Sequence, residues 1–117
     1  MHLTEISGLL GCETMPGFEG LLGHEVGVCF AADLMSEVLA FCSPGALLLT
    51  GLANVQSVHT AHVADLAAII YVNDKRPDPA VIALAREQGI PLLSTKLPMF
   101  AACGILYAQG LRPAWKH

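Results

Sequence analysis

Three short apolar runs stand out in the second half of the chain: Ala46-Leu47-Leu48-Leu49-Thr50, Ala67-Ala68-Ile69-Ile70-Tyr71-Val72 and Ile90-Pro91-Leu92-Leu93-Ser94. Each is too short for a helix and is bounded by turn residues. Unbroken runs of this kind suit strands buried on both faces, as in a parallel sheet. Helical patterns separate them. Asp78 is placed to cap free N–H groups, Pro79 suits the first helical position, and Gly89 can take the left-handed stop, so a helix is predicted over 80–88. Val81, Leu84 and Ala85 form its inner stripe, while Arg86 and Glu87 face water. Asn54 is expected to cap a helix running to about Asp65. A third helix is expected from Leu97 to Gln109, ending at Gly110.

The first half is less regular. Leu3 to Leu10 reads as a short helix, Gly11 to Met15 as a strand, and the Gly- and Pro-rich stretch Pro16 to Gly23 as a loop. Glu25 to Ala31 reads as a strand. Asp33 is then expected to cap a helix through Phe41, with Leu34, Val38 and Phe41 on one stripe. Alternating strands and helices imply right-handed crossovers. The expected fold is therefore α/β: one domain over residues 1–117, with a mainly parallel sheet and helices packed on it.

Composition narrows the function. The chain has 117 residues, 54% hydrophobic and only 14% charged, with net charge −4. An average soluble domain carries roughly 25% charged residues. The deficit suggests that some surface is covered, most simply by a second copy of the chain. The basic residues are scattered, which argues against a nucleic-acid partner. No apolar run approaches the ~20 residues of a membrane span. The start, Met1-His2-Leu3-Thr4-Glu5, lacks the features of a signal peptide, so the expected location is cytoplasmic. Cys12, Cys29, Cys42 and Cys103 form no Cys-x-x-Cys pair and sit in or beside apolar segments, where thiols act as small buried hydrophobes.

The usual catalytic motifs are missing. Neither the phosphate-binding Gly-x-x-x-x-Gly-Lys-Ser/Thr nor Gly-x-Gly-x-x-Gly occurs, and Gly17, Gly20 and Gly23 have the wrong spacing. Lys96-Leu97-Pro98 resembles the lysine of a response-regulator receiver, but the early strands supply no acid pair for magnesium. Ser94-Thr95 lies outside any Gly-x-Ser-x-Gly. The expectation is a protein that is not an enzyme and uses no cofactor.

Two polar groupings remain. On a helical projection Val55, Val58, His59, His62, Val63 and Leu66 share one arc, which places both histidines inside an apolar stripe. They read as partly buried imidazoles, as a pH-sensitive interface, or as two ligands of a metal whose further ligands no nearby sequence supplies. The other grouping lies where parallel strands end together. Thr50-Gly51, Asn73-Asp74-Lys75-Arg76 and Ser94-Thr95-Lys96 follow three successive strands. If a ligand binds, it is expected to be anionic and to meet Thr50, Arg76, Ser94, Thr95 and Lys96, near the positive ends of helices.

The order of these features resembles the DRTGG domain family. The likeness rests on Leu48-Leu49-Thr50, the Asn54-led helix, the strand Ala67 to Val72, Arg76-Pro77-Asp78, Ala85-x-x-x-Gly89-Ile90-Pro91-Leu92-Leu93-Ser94-Thr95 and Phe100-x-Ala102. Upstream, Leu10-Gly11-Cys12-Glu13 and Ala32-Asp33-Leu34-Met35-Ser36 extend it over nearly the whole chain. The resemblance implies a domain similar to the N-terminal domain of HPr kinase/phosphorylase, found beside CBS domains in regulated pyrophosphatases and in some phosphotransacetylases. There it implies a regulatory and dimerising role, with catalysis done elsewhere. One departure stands out: Val72-Asn73-Asp74-Lys75 replaces the family's Thr-Gly-Gly-like loop, and with it the close backbone approach that glycines permit.

The resulting expectation is a non-catalytic regulatory or oligomerisation module, homodimeric, with a further protein partner possible. The alternative is a sensor for a small anion or nucleotide. The dimer is expected to use the last helix, which carries no charge from Leu97 to Leu111 and presents Met99, Phe100, Cys103, Leu106 and Tyr107 on one side.

Overall fold

The computed structural model describes residues 1–116. Helix α1 (Leu3–Leu10) leads into a two-residue strand β1 (Glu13–Thr14), and a 3-10 turn at Glu19–Leu21 sits in the following loop. Then come β2 (Val28–Ala31), α2 (Met35–Phe41), β3 (Leu47–Thr50), α3 (Val55–Val63), β4 (Ala68–Tyr71), α4 (Pro79–Gln88), β5 (Leu92–Ser94), α5 (Met99–Ala108) and β6 (Arg112–Pro113). The strands form one sheet in the order β1-β5-β4-β3-β2-β6. All neighbours are parallel except the β1–β5 pair at one edge, where Glu13 faces Ser94. This is the expected α/β fold with a mainly parallel sheet.

Alternation along the strands builds two cores. Leu48, Ile69, Tyr71 and Leu92 point to the face covered by α2, α3 and α4, where Met35, Val38, Val58, Ala61, Val81 and Ala85 meet them. Leu47, Leu49, Ala68, Ile70 and Leu93 point to the other face, under α1 and α5. Every residue of β3, β4 and β5 is buried. That two-sided burial is why these segments read as continuous apolar runs. After β5 the chain crosses back under the second face through α5 and adds β6 beside β2, a strand that the sequence pattern did not signal.

Tyr71 shows how a polar atom enters such a core. Its ring is fully buried, and its hydroxyl lies 2.8 Å from Ser57 Oγ. Ser57 Oγ gives its own hydrogen to the Asn54 carbonyl at 2.7 Å, so Tyr71 is the donor of the pair. Burial pushes the Tyr71 hydroxyl up to about 12.

Helix α4 begins and ends as expected: Asp78 accepts from Val81 N–H, and Gly89 takes a left-handed φ of 70°. Two other expectations are corrected. Asp33 does not cap α2; Leu34 precedes the first helical residue, is 58% exposed, and lies off the buried stripe, which is Met35 and Val38. In α3 the buried face is Ser57, Val58, Thr60 and Ala61, while Val55, Val63, His59 and His62 face solvent. The helix is wedged between α2 and α4 on the sheet. Close packing on both flanks selects small side chains there, polar or not.

Candidate functional site

The carboxyl ends of β2, β3, β4 and β5 come together along one edge of the sheet, as the parallel topology requires. The edge is organised by Asp33. Its Oδ1 accepts from Thr50 Oγ1 at 3.1 Å and from the Gly51 N–H at 2.7 Å, tying the loop after β2 to the end of β3. Thr50 Oγ1 in turn accepts from the Leu52 N–H at 3.2 Å. Sequence reasoning missed this role. The available signal was an acid directly after one strand and a Thr-Gly pair directly after its neighbour.

The next two loops are tied in the same way. Ser94 Oγ donates to the Lys75 carbonyl at 2.7 Å, and the buried Thr95 Oγ1 donates to the Leu10 carbonyl at 2.7 Å. The Leu97 N–H reaches Thr95 Oγ1 at 3.3 Å. Arg76 donates from Nη1 to Glu13 Oε2 at 2.7 Å and has Asp74 Oδ1 3.6 Å from Nε. The Arg76 guanidinium holds the Glu13 carboxyl below the ordinary glutamate range by its hydrogen bond and its charge. The structure thus gathers Thr50, Arg76, Ser94, Thr95 and Lys96 on one edge. Thr50, Ser94 and Thr95 direct their hydroxyl hydrogens into the chain, whereas Lys96 is exposed.

The loop that departs from the Thr-Gly-Gly pattern keeps a glycine-like backbone. Asn73 and Asp74 adopt left-handed φ values of 59° and 57°, and the Lys75 N–H closes the turn on the Val72 carbonyl at 3.1 Å. Two successive residues with positive φ make a tight reversal that glycine takes most easily, and Asn and Asp tolerate better than other side chains. The turn is held from outside: the Asn73 N–H donates to the Leu97 carbonyl and the Asp74 N–H to the Thr95 carbonyl.

The environments of Cys12, Cys29 and Cys42 suit inert thiols. Cys42 is buried; Cys12, Cys29 and Cys103 are half-buried. Burial pushes the thiols of Cys12, Cys29 and Cys42 up to about 11, 12 and 11, so they stay protonated at neutral pH. Among the described residues no three His, Cys, Asp or Glu side chains are grouped to hold a metal ion. No helix there is long and apolar enough to cross a membrane.

The outer side of α5 is of a different kind. Ala102 and Leu106 pack on the sheet, and Leu106 is 1% exposed, so it is not available on the outer side. Met99 and Cys103 sit half-buried on the flank. Phe100 is 92% exposed and Tyr107 63% exposed. The space above Gly104, between them, is open. Beside this face, α5, β2 and β6 border an open pocket of about 140 Å³ lined by Cys29, Ala31, Cys103, Tyr107, Leu111, Arg112 and Pro113. The Arg112 guanidinium lies 5.2 Å from the Tyr107 ring centre, a cation over an aromatic face.

Residues 5–108 match the DRTGG domain family, almost the full length of the sheet and its helices. The chain belongs to the DRTGG domain family. Its fold also matches a crystal structure of the CBS and DRTGG domains of the regulatory region of a Clostridium perfringens pyrophosphatase, solved with the activator diadenosine tetraphosphate. The likeness has a TM-score of 0.75 at 18% sequence identity. It covers 97% of this chain and 48% of the other, so this DRTGG chain spans about half the length of that regulatory region. No curated protein matches the sequence.

Proposed function

We propose that this DRTGG domain is a non-catalytic regulatory module that works by pairing with a second copy of itself through the outer side of α5. The observation that carries the reading is the exposure of Phe100 and Tyr107, at 92% and 63%, on a helix without a charged residue. Large aromatic rings on an uncharged helix surface, with an arginine beside them, are a common centre of a protein interface. The low charge of the whole chain points the same way. Twofold pairs are the commonest assemblies, and a patch that meets its own copy needs no second surface. The place of the related domain in a pyrophosphatase regulatory region supports the regulatory part. Equilibrium sedimentation at about tens of micromolar, where weak pairs persist by mass action, is expected to show a dimer. A monomer at that concentration overturns the reading. Purified protein is further expected not to turn over ATP; turnover abolished by substitution of Lys96 would contradict the non-catalytic part.

A second reading is a sensor for a small anion at the carboxyl edge of the sheet. One observation favours it: α5 opens without a side-chain cap on its N–H groups, next to the exposed Lys96. Titration with phosphate, adenine nucleotides and small carboxylates is expected to shift the amides of Thr50, Arg76, Ser94, Thr95 and Lys96. Shifts elsewhere, or none, remove this reading.

A further inference from the structure

Resting on the pairing through α5, we infer that Phe100 of each copy seats in the pocket beside Tyr107 of the other, so that each pocket is completed by a residue of the partner. Ring and pocket match in size and character. The pocket holds about 140 Å³ and is lined mainly by apolar side chains and thiols. An apolar cavity of ~150 Å³ takes up a benzene molecule, which is the ring of a phenylalanine side chain.

Their positions fit a twofold operation. Phe100 and Tyr107 lie equally far from a centre between Cys103 and Gly104. In an antiparallel helix pair about that centre, position 100 of one helix lies beside position 107 of the other, roughly 5 Å along the axis from the centre. The same contact then forms twice. Gly104, with open space where a side chain would stand, lets the two backbones approach at the crossing. Cys103 and Tyr107, two of the pocket's walls, come from the helix that supplies the knob. The seated ring also gives Arg112, already 5.2 Å from the Tyr107 ring, a second aromatic neighbour.

The area is of the right order. With ~200 Å² for each aromatic side chain, exposures of 92% and 63% leave roughly 300 Å² on these two rings in each copy. A specific interface buries about 600–1,000 Å² on each side. The rings supply about half of the lower figure, and the small residues of α5 with the pocket walls flank them.

Three variants test this against the wild type. Phe100→Ala, at an exposed position, is expected to keep the circular dichroism of the fold and to weaken association at least ~10-fold, as loss of a central aromatic anchor does. Ala31→Leu, which fills the pocket from β2 and leaves every residue of α5 unchanged, is expected to weaken it as well. Phe100→Cys places a thiol in the pocket of the partner. Oxidation with diamide removes one hydrogen from each of two thiols, reduces the diamide to its hydrazine, and is expected to link the introduced thiol to the partner's Cys103. The covalent dimer should disappear when Cys103→Ser is added and survive Cys12→Ser. A wild-type dimer that all these changes leave intact, with no such link, overturns the seating of Phe100 while the pairing stands. A wild-type monomer removes both.

Discussion

At the carboxyl edge of the sheet, Thr50, Ser94 and Thr95 direct their hydroxyl hydrogens into the chain, and Arg76 holds Glu13. On the outer side of α5, two aromatic rings stand in water beside an open apolar pocket. The first region is rich in polar chemistry, most of it bonded within the chain; the second is chemically plain and exposed. A ligand at the edge has to compete with partners already in place, each worth about 1 kcal/mol. A partner on α5 would displace water mainly from apolar surface, with Arg112 at its margin, and burial of apolar surface is favourable at about 25 cal/mol per Å². Polar residues gathered at strand ends can therefore serve as architecture, while the exposed apolar surface carries no motif.

The largest effect is expected on the inner side of α5. Leu106→Ala removes a residue 1% exposed in the second core and should destabilise the fold by about 2–5 kcal/mol, measured by urea unfolding. Next is Thr95→Val, which leaves the buried Leu10 carbonyl without its donor and the Leu97 N–H without its acceptor. A loss of about 1–3 kcal/mol is expected, and a neutral result would show that the edge is not self-contained. Phe100→Ala should change the stability of the single fold by no more than about 0.5 kcal/mol, because its ring is not packed in its own chain. A large loss there would place the ring in a core and contradict its exposure. The smallest effect belongs to the exposed Glu13–Arg76 pair. The Glu13 carboxyl is held below its ordinary 4.5, so its contribution is complete above that pH and is lost as pH falls through the lowered value. Comparing wild type with Glu13→Gln in acid unfolding isolates this slope, which salt should weaken.

Part of this was legible in the sequence. The strands 47–50, 68–71 and 92–94 could be read because both of their faces are covered, and a run without polar interruption has few other uses. Helix α4 could be read because Asp78, Pro79 and Gly89 act locally, through the backbone beside them. Asp33 was misread because its carboxylate bonds 17 and 18 residues away, across two strands, and a cap is the local alternative. The buried face of α3 was misread because Ser57 and Thr60 are selected by size between two helices, which polarity scales do not register. The edge residues Thr50, Arg76, Ser94, Thr95 and Lys96 were brought together by topology alone; that their hydroxyls are engaged inside depends on distances no pattern contains. On α5 the absence of charge was legible, but not which side Leu106 faces.

The two rims of the sheet set a further condition. β1 and β6 are two residues each, and Pro113 in β6 has no N–H to offer a further strand. An exposed long edge is where sheets of different molecules zip together into aggregates. Here both rims are too short to template such growth, and one ends on a residue that cannot donate to it. Growth of this apolar chain strand by strand through the rims of its sheet is therefore disfavoured.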